Sequence, residues 1–511
     1  MKYLKGSVFA ILTVFLLLVV QAICDLSLPA YTSDIVNVGI MQNGIDRAVP
    51  DVIRKSELDT LTLLMEESDK DLVFRHYTLL EQKNVSDKEW SDYVKNYPLL
   101  DTEPLYRWDN KEEKPLEDAF AIPMMVAYIG NSSGESADLM KKQLFANFPS
   151  MNASGEVDFK TLLPMLPEET RQEMLQTIKK VIEQIPEQMV SQTATAYVKA
   201  EYKAIGINLA KIQNRYILLV GVKMLALALG IMLISILVTL LASRVAGKLG
   251  KDLRSKVFQK VLSFSNKEMD QFSTASLITR STNDIQQVQS MFVMMIRIVL
   301  YSPILAIGGI FKVLQTNNSM TWILAAGVAV IFALILALMI IALPKFKLMQ
   351  KLVDRINLVT REIITGLPVI RAFSTEEHEK KRFDKANIDL TKNSLFVNRV
   401  MTFLMPALML IMNLISILII WVGADKINSG SMQVGDMIAF IQYTMQIIMS
   451  FLMLTMISIL LPRASVSAKR IDEIISAKNT INDPAVELSL QTNKGIVEFD
   501  HVSFRYPNAE E

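Results

Sequence analysis

The 511-residue chain has one cysteine, Cys24, and three histidines. A single cysteine excludes an intramolecular disulfide and any cysteine-based zinc or iron–sulfur site. Three histidines leave little for a histidine-rich metal centre. Charge of either sign is not in excess: 53 Lys and Arg stand against 52 Asp and Glu, a net of +1, which argues against a nucleic-acid binder. Nor is there a phosphate-binding G-x-x-x-x-G-K-[ST] motif. The nearest string, Gly247 to Asp252, has the wrong spacing, lacks the hydroxyl for Mg2+ and sits in a helical pattern instead of after a strand.

What the chain has in quantity is apolar sequence: 51% hydrophobic residues together with 21% charged ones. Membrane spans alternating with charged segments reconcile the two figures. Six apolar runs appear, Val8 to Cys24, Ile217 to Ala242, Met291 to Phe311, Trp322 to Leu343, Val400 to Val422 and Met437 to Leu461. Each is near or above the ~18 to 20 residues that cross a bilayer as a helix. The first follows Lys2 and Lys5 but has no small-x-small cleavage pattern near Cys24, so it reads as an uncleaved span.

Eight lysines and arginines lie between Arg244 and Arg280, and twelve between Lys345 and Arg399. The short loops Gln315 to Thr321 and Gly423 to Gly435 hold only Lys426. By the positive-inside rule the two basic segments and both ends of the chain are cytoplasmic, and residues 41–215 lie outside. The outer segment Asp46 to Lys203 carries 29 acids and 19 bases, a net of −10 that leaves +11 for the rest.

Each basic segment reads as a helical hairpin with a short element at its tip, Asp270 to Ser276 in one and Val369 to Phe373 in the other. Both are longer than a connector needs to be, and each is expected to keep an exposed apolar tip, which suggests docking. The outer segment is expected to be a helical domain with its own core. Ser86 and Glu89 form a capping box, and Met174, Ile178, Ile182 and Ile185 share one helix face. Asn152 to Phe159 looks like the middle of an EF-hand loop, but Ser150 and Thr161 stand where the strong acidic ligands belong, so a glycine-centred turn is the plainer reading. Beyond Ala464 to Ser476, a helix leaving span six, the linker 477–494 leads to Gly495 to Pro507, which is strand-like and rich in β-branched and aromatic residues.

Several strings together resemble the half-transporter exporters of the ATP-binding cassette (ABC) superfamily, in particular the bacterial heterodimeric multidrug type. They are LPAYTSDIVNVGI at Leu28 to Ile40, the segment Asp252 to Asp284, REIITGLPVIRAF at Arg361 to Phe373, GDMIAFIQY at Gly435 to Tyr443 and PRASVSAKRI at Pro462 to Ile471. The resemblance implies an all-α membrane protein of six transmembrane helices, with the outer domain 41–215 as an unusual insertion. Residues 1–40 would hold the first span, 216–476 spans two to six, and 495–511 the start of an ATP-binding domain, so the sequence is expected to be a truncated one. It further implies that Asp270, Gln271, Phe272, Ser273 and Thr274 in one hairpin, and Gly366, Val369, Ile370 and Phe373 in the other, belong to coupling helices. Tyr506 would stack on adenine. ATP and Mg2+ would be bound by the full-length protein, and the partners would be nucleotide-binding domains, a second half-transporter, the lipid bilayer and an amphipathic substrate. The chain as it stands should not hydrolyse ATP. Export of a peptide or lipid, or a sensor reading a signal through the outer domain, are the alternatives.

One further face follows from helix geometry. At 100° per residue, Gln442, Met445, Gln446, Met449, Ser450, Met453 and Met456 fall within a sector of about 140°, with Thr444, Ile448, Phe451 and Thr455 opposite. Polar side chains in hydrocarbon prefer a bundle interior and methionine adapts to varied partners, so this face is the candidate translocation pathway, with ordinary helix packing the plainer alternative.

Overall fold

The computed structural model describes residues 7–84, 86–132, 141, 163–165, 167–182, 185–316, 318–481 and 495–504. Its longest elements are helices that continue the apolar runs. Span one is α1 (Val8–Asp34), which runs unbroken through Pro29 and is extended to Met41 by a π-helical turn. An insertion follows: β1 (Val52–Arg54), α2 (Lys55–Thr62), α3 (Glu67–His76), β2 (Tyr77–Leu79), α4 (Asp87–Asn96), β3 (Leu105–Trp108), α5 (Glu113–Asn131), α6 (Glu168–Ile182) and α7 (Glu187–Ile205). Span two opens α8 (Leu209–Leu262), a helix of 54 residues. The first basic segment holds α9 (Asn266–Gln271) and α10 (Thr274–Thr279), and α11 (Ile285–Met294) and α12 (Tyr301–Thr316) carry span three. Span four lies in α13 (Thr321–Thr365), followed by α14 (Leu367–Ala372). Span five lies in α15 (Glu376–Asn428) and span six in α16 (Val434–Ile475). The 45 and 53 residues of α13 and α15 correspond to about 70 and 80 Å, more than twice the ~30 Å of a hydrocarbon core. All six expected spans fall on helices long and apolar enough to cross a membrane.

The chain divides into two units, one of residues 1–25, 228–309 and 449–511, the other of residues 26–227 and 310–448. In the first, Val14 and Leu18 of span one pack with Val238, Ala242 and Val245 of span two, Ile296 of span three, and Ile471 and Ile474 at the exit of span six. Within the same unit Tyr301 donates a hydrogen bond to Asp25.

The second unit contains the insertion. Its core gathers Ile53, Leu58, Leu61, Phe120, Met124, Ala194 and Val198, and a smaller cluster buries Met174, Ile178 and Ile182, the face expected of α6. The capping box at α4 is present: the Glu89 backbone N–H donates to Ser86 Oγ, and the Ser86 backbone N–H donates to Glu89 Oε2 at 3.2 Å. The insertion is mostly helical but not wholly so. A three-stranded antiparallel sheet in the order β1-β3-β2 pairs Ile53 with Tyr106 and Thr78 with Arg107. Strands of three and four residues are too short to show a two-residue alternation, which is why the sequence pattern passed over them.

A buried ion-pair network ties this sheet to the helices. The Arg54 guanidinium grips Glu201 twice, through Nε at 3.0 Å and Nη2 at 2.7 Å, and reaches Glu57 at 2.9 Å. The Arg54 backbone N–H also donates to Glu201, and Tyr197 donates to the other Glu57 oxygen at 2.6 Å. Hydrogen bonding to Glu201 pushes the Arg54 pKa above its usual value, so the cation is fixed.

At the other end of span one, the π-helical turn carries Asn37 into a second polar junction. Asn37 accepts from the Gly435 backbone N–H at 2.7 Å and donates to Ser33 Oγ at 3.0 Å and Asp436 at 3.1 Å. Ser33 donates to the same Asp436 oxygen at 2.8 Å. Span one is thereby latched to the first turn of span six. A Cβ on Gly435 would sit 2.5 Å from the Ser33 carbonyl oxygen and 2.6 Å from Asn37 Oδ1. Gly435→Ala is therefore expected to destabilise the detergent-solubilised chain by about 1–3 kcal/mol, the usual cost of overpacking. An unshifted thermal unfolding midpoint would show that the latch tolerates the methyl group.

Two local expectations are corrected. Asp270 to Ser276 is not one helix: α9 ends at Gln271, Phe272 is extended, and Ser273 caps α10 by accepting from the Ser276 N–H. Residues 495–504 form no strand. A strand must exchange its backbone hydrogen bonds with a neighbour, no described segment pairs with this one, and Ile496, Val497 and Phe499 are exposed. The EF-hand-like string 150–161 and Tyr506 lie outside the described residues.

Candidate functional site: hairpin tips and the face of span six

The first tip is built by capping. The Ser265 side chain and backbone N–H both donate to Glu268 Oε2, and Thr480 donates to Glu268 Oε1 through its hydroxyl at 2.7 Å and its backbone N–H at 3.2 Å. These bonds hold the Glu268 carboxyl down to about 2, so it stays ionised and keeps its acceptors. Phe272, expected at an exposed apolar tip, is 8% exposed. Its ring stacks on Phe264 at 5.7 Å between centroids, and the Arg280 guanidinium lies 5.2 Å above it. A lone phenylalanine between polar residues looks exposed in sequence; the fold-back of Phe264 and Arg280 is what buries it. Asp270, Gln271, Ser273 and Thr274 stay exposed around it. The hairpin is pinned to the exit of span six by Arg280 to Glu473 at 2.8 Å and Arg470 to the buried Asp284 at 3.1 Å, with Ser467 donating to Asp284 at 2.9 Å.

The second tip has the opposite character. Gly366 ends α13, Pro368 stands in the first turn of α14, and the six-residue helix has no buried residue. Val369 is 60% and Phe373 75% exposed, with Ile364 and Leu367 beside them and Ile370 half-buried. The supporting helices are held together by polar contacts: Arg382 pairs with Glu362, and Asn393 donates to the Lys345 carbonyl at 3.0 Å. The tip is therefore a rigidly carried apolar patch with nothing from its own unit covering it.

Along span six, Gln442, Met445 and Gln446 are half-buried, and Met449 and Met453 are exposed at 45% and 41%. Thr444 and Ile448, on the opposite side, are fully buried. Ser450 is also fully buried, unlike its neighbours in the proposed sector, and the Met456 side chain lies outside the described residues. Asn37, Gly435 and Asp436 form a junction that no sequence pattern marks. Each stands in a string that carried the resemblance, yet only the structure brings the two strings together. Among the described residues no group of three or more His, Cys, Asp or Glu could hold a metal ion.

Six long apolar helices, with basic hairpins running on from them and ending in short helices, have the form of a transporter's membrane domain. Comparison with known proteins agrees. Residues 179–451 match the ABC transporter transmembrane region, and the chain belongs to that family. An uncharacterized ABC transporter ATP-binding protein of Mycobacterium tuberculosis is 34% identical over 63% of this chain and 56% of its own length. One from Bacillus subtilis is 34% identical over 60% of this chain and 53% of its own. The fatty acid ABC transporter ATP-binding/permease protein of Mycobacterium bovis is 25% identical over 59% and 47%. The chain thus spans about half the length of the curated relatives it matches.

Proposed function

We propose that this chain supplies one membrane half of an ATP-driven exporter that moves amphipathic compounds out of a bacterial cell. The observation that carries the reading is the second hairpin: two helices of 45 and 53 residues hold a six-residue helix whose apolar side chains have no cover. Such a lever serves to pass force from a soluble motor to the membrane. Gly366, Val369, Ile370 and Phe373 would dock on a nucleotide-binding domain, and Asp270, Gln271, Ser273 and Thr274 would do the same from the first tip, with Phe272 setting the turn from beneath. ATP and Mg2+ would bind in the nucleotide domains of the complete transporter, where Tyr506 would offer its ring to adenine. The second half-transporter would be a different chain. Both termini would be cytoplasmic and residues 41–215 would lie outside, gating the outward opening.

The face Gln442, Met445, Gln446, Met449, Met453 and Met456 would line the pathway, with Ser450 packed behind it. Met449 and Met453 are exposed at 45% and 41%, and Gln442, Met445 and Gln446 are half-buried, which suits a surface closed by cargo or by the partner half. Cysteines at Gln446 and Met453 are expected to react with water-soluble thiol reagents in at least one nucleotide state of the complete transporter. Within this sequence the one native thiol is Cys24, and Cys24→Ser removes it. Protection of both positions in every state would remove this face from the pathway.

A further inference from the structure

The second unit holds a cavity of about 400 Å³ where α7 of the insertion meets the ends of spans one and five and the turn into span six. That volume is at the lower end of the range for small-molecule sites. One wall is a single face of α7, on which Gln192, Lys199 and Lys203 recur at helical spacing. Gln42, just after span one, and Gln433, just before span six, also line it, and no aspartate or glutamate does. This is unexpected in an insertion that carries 29 acids against 19 bases.

The donors are largely uncommitted. Lys199 Nζ gives one hydrogen bond, to the Met41 carbonyl at 3.3 Å, which steadies it in the wall and leaves two N–H groups. Neither lysine forms a salt bridge with any described carboxylate. Gln192 Nε2 is sealed from solvent and finds no acceptor among the described residues. That nitrogen is closed off from the cavity as well, so the two lysines are the cationic donors that line the space. Asn37 and Thr195 also line the cavity but spend their polar groups on Gly435, Asp436 and the Ser191 carbonyl. Met41, Ile427, Met432 and Val434 supply an apolar side to the same space.

We propose that this cavity binds the headgroup of an amphipathic anion, a carboxylate or phosphate carried on an alkyl chain, with Lys199 and Lys203 as donors and Met41, Ile427 and Met432 against the first methylenes. The occupant is a single-chain amphiphile or an anionic phospholipid; the headgroup chemistry is the same. The site does not depend on the transport reading, because binding needs neither ATP nor a second half.

The test uses the full chain in phosphatidylcholine nanodiscs, with equilibrium binding of radiolabelled dodecanoate and dodecyl phosphate. Saturable binding is expected, weakened about tenfold by Lys203→Gln and further by adding Lys199→Gln, and kept within about threefold by Lys203→Arg. Dodecanol should not compete. Lys203 is exposed, so its single variant keeps the test valid should the double variant fail to fold. If phosphatidylglycerol in the disc displaces dodecanoate from the wild type, the occupant is the lipid headgroup; if it does not, the occupant is the free amphiphile. Dodecanoate binding that is unchanged in both glutamine variants, or matched by dodecanol, overturns the proposal.

Discussion

Replacing Val369 and Phe373 together by aspartate is expected to abolish ATP-driven transport while leaving the membrane domain folded. The two side chains are 60% and 75% exposed, so in the isolated chain the carboxylates stay in water and the substitutions should change stability by no more than about 0.5 kcal/mol. In the assembled transporter the same carboxylates would have to leave water at an apolar contact, without partners. A penalty of about 3 kcal/mol at such an anchor corresponds to a loss of about 100-fold in docking. Transport into inside-out vesicles should fall to background, while expression and membrane insertion match the wild type. A conservative pair, Val369→Ile with Phe373→Leu, should retain most activity. Equal loss in the conservative pair would mean that the tip acts by shape alone and not as an apolar anchor.

The second large effect lies in the insertion. Arg54→Met removes the guanidinium that bridges Glu57 and Glu201, whose side chains are 4% and 2% exposed. Two carboxylates would remain in the interior, one beside Tyr197, and breaking such a buried pair costs about 3–5 kcal/mol. Limited proteolysis of the full chain should then cut within residues 41–215 at a protease concentration that leaves the wild type intact. Replacing the whole network at once, Arg54→Met with Glu57→Leu, Glu201→Met and Tyr197→Phe, should restore much of the loss, because no charge would be left unpaired. A proteolysis pattern unchanged by Arg54→Met alone would mean that water reaches the two acids and the network is not a structural lock.

How much of this was legible in the sequence depends on the length over which each signal repeats. Spans were plain because 17 or more apolar residues in a row have few other uses, and all six lie on the expected helices. Their basic extensions kept a helical period, so the hairpins could be drawn as well. The sheet of the insertion was hidden because no strand exceeds four residues. Phe272 reads as exposed in sequence because its cover comes from Phe264 and from Arg280, and neither contact follows from a sequence pattern. The latch of Asn37 on Gly435 joins positions 398 residues apart. A side-chain amide meeting a backbone N–H leaves no periodic trace, although both residues stood in strings that carried the resemblance. The cavity lysines leave no sequence signal for the opposite reason. In a domain rich in both charges, Lys199 and Lys203 look like any solvated helix face until their neighbours are known.

The central claim is that the second hairpin couples a nucleotide-driven motor to movement through the membrane. The most direct measurement is uptake of a fluorescent amphipathic dye by inside-out vesicles carrying the complete transporter, with ATP turnover followed in the same sample. With the native tip, uptake should require ATP hydrolysis, and dye should stimulate that hydrolysis. With Val369→Asp and Phe373→Asp, uptake should vanish and the stimulation by dye with it. Uptake that continues with those tips, or that proceeds equally without ATP, would contradict the account.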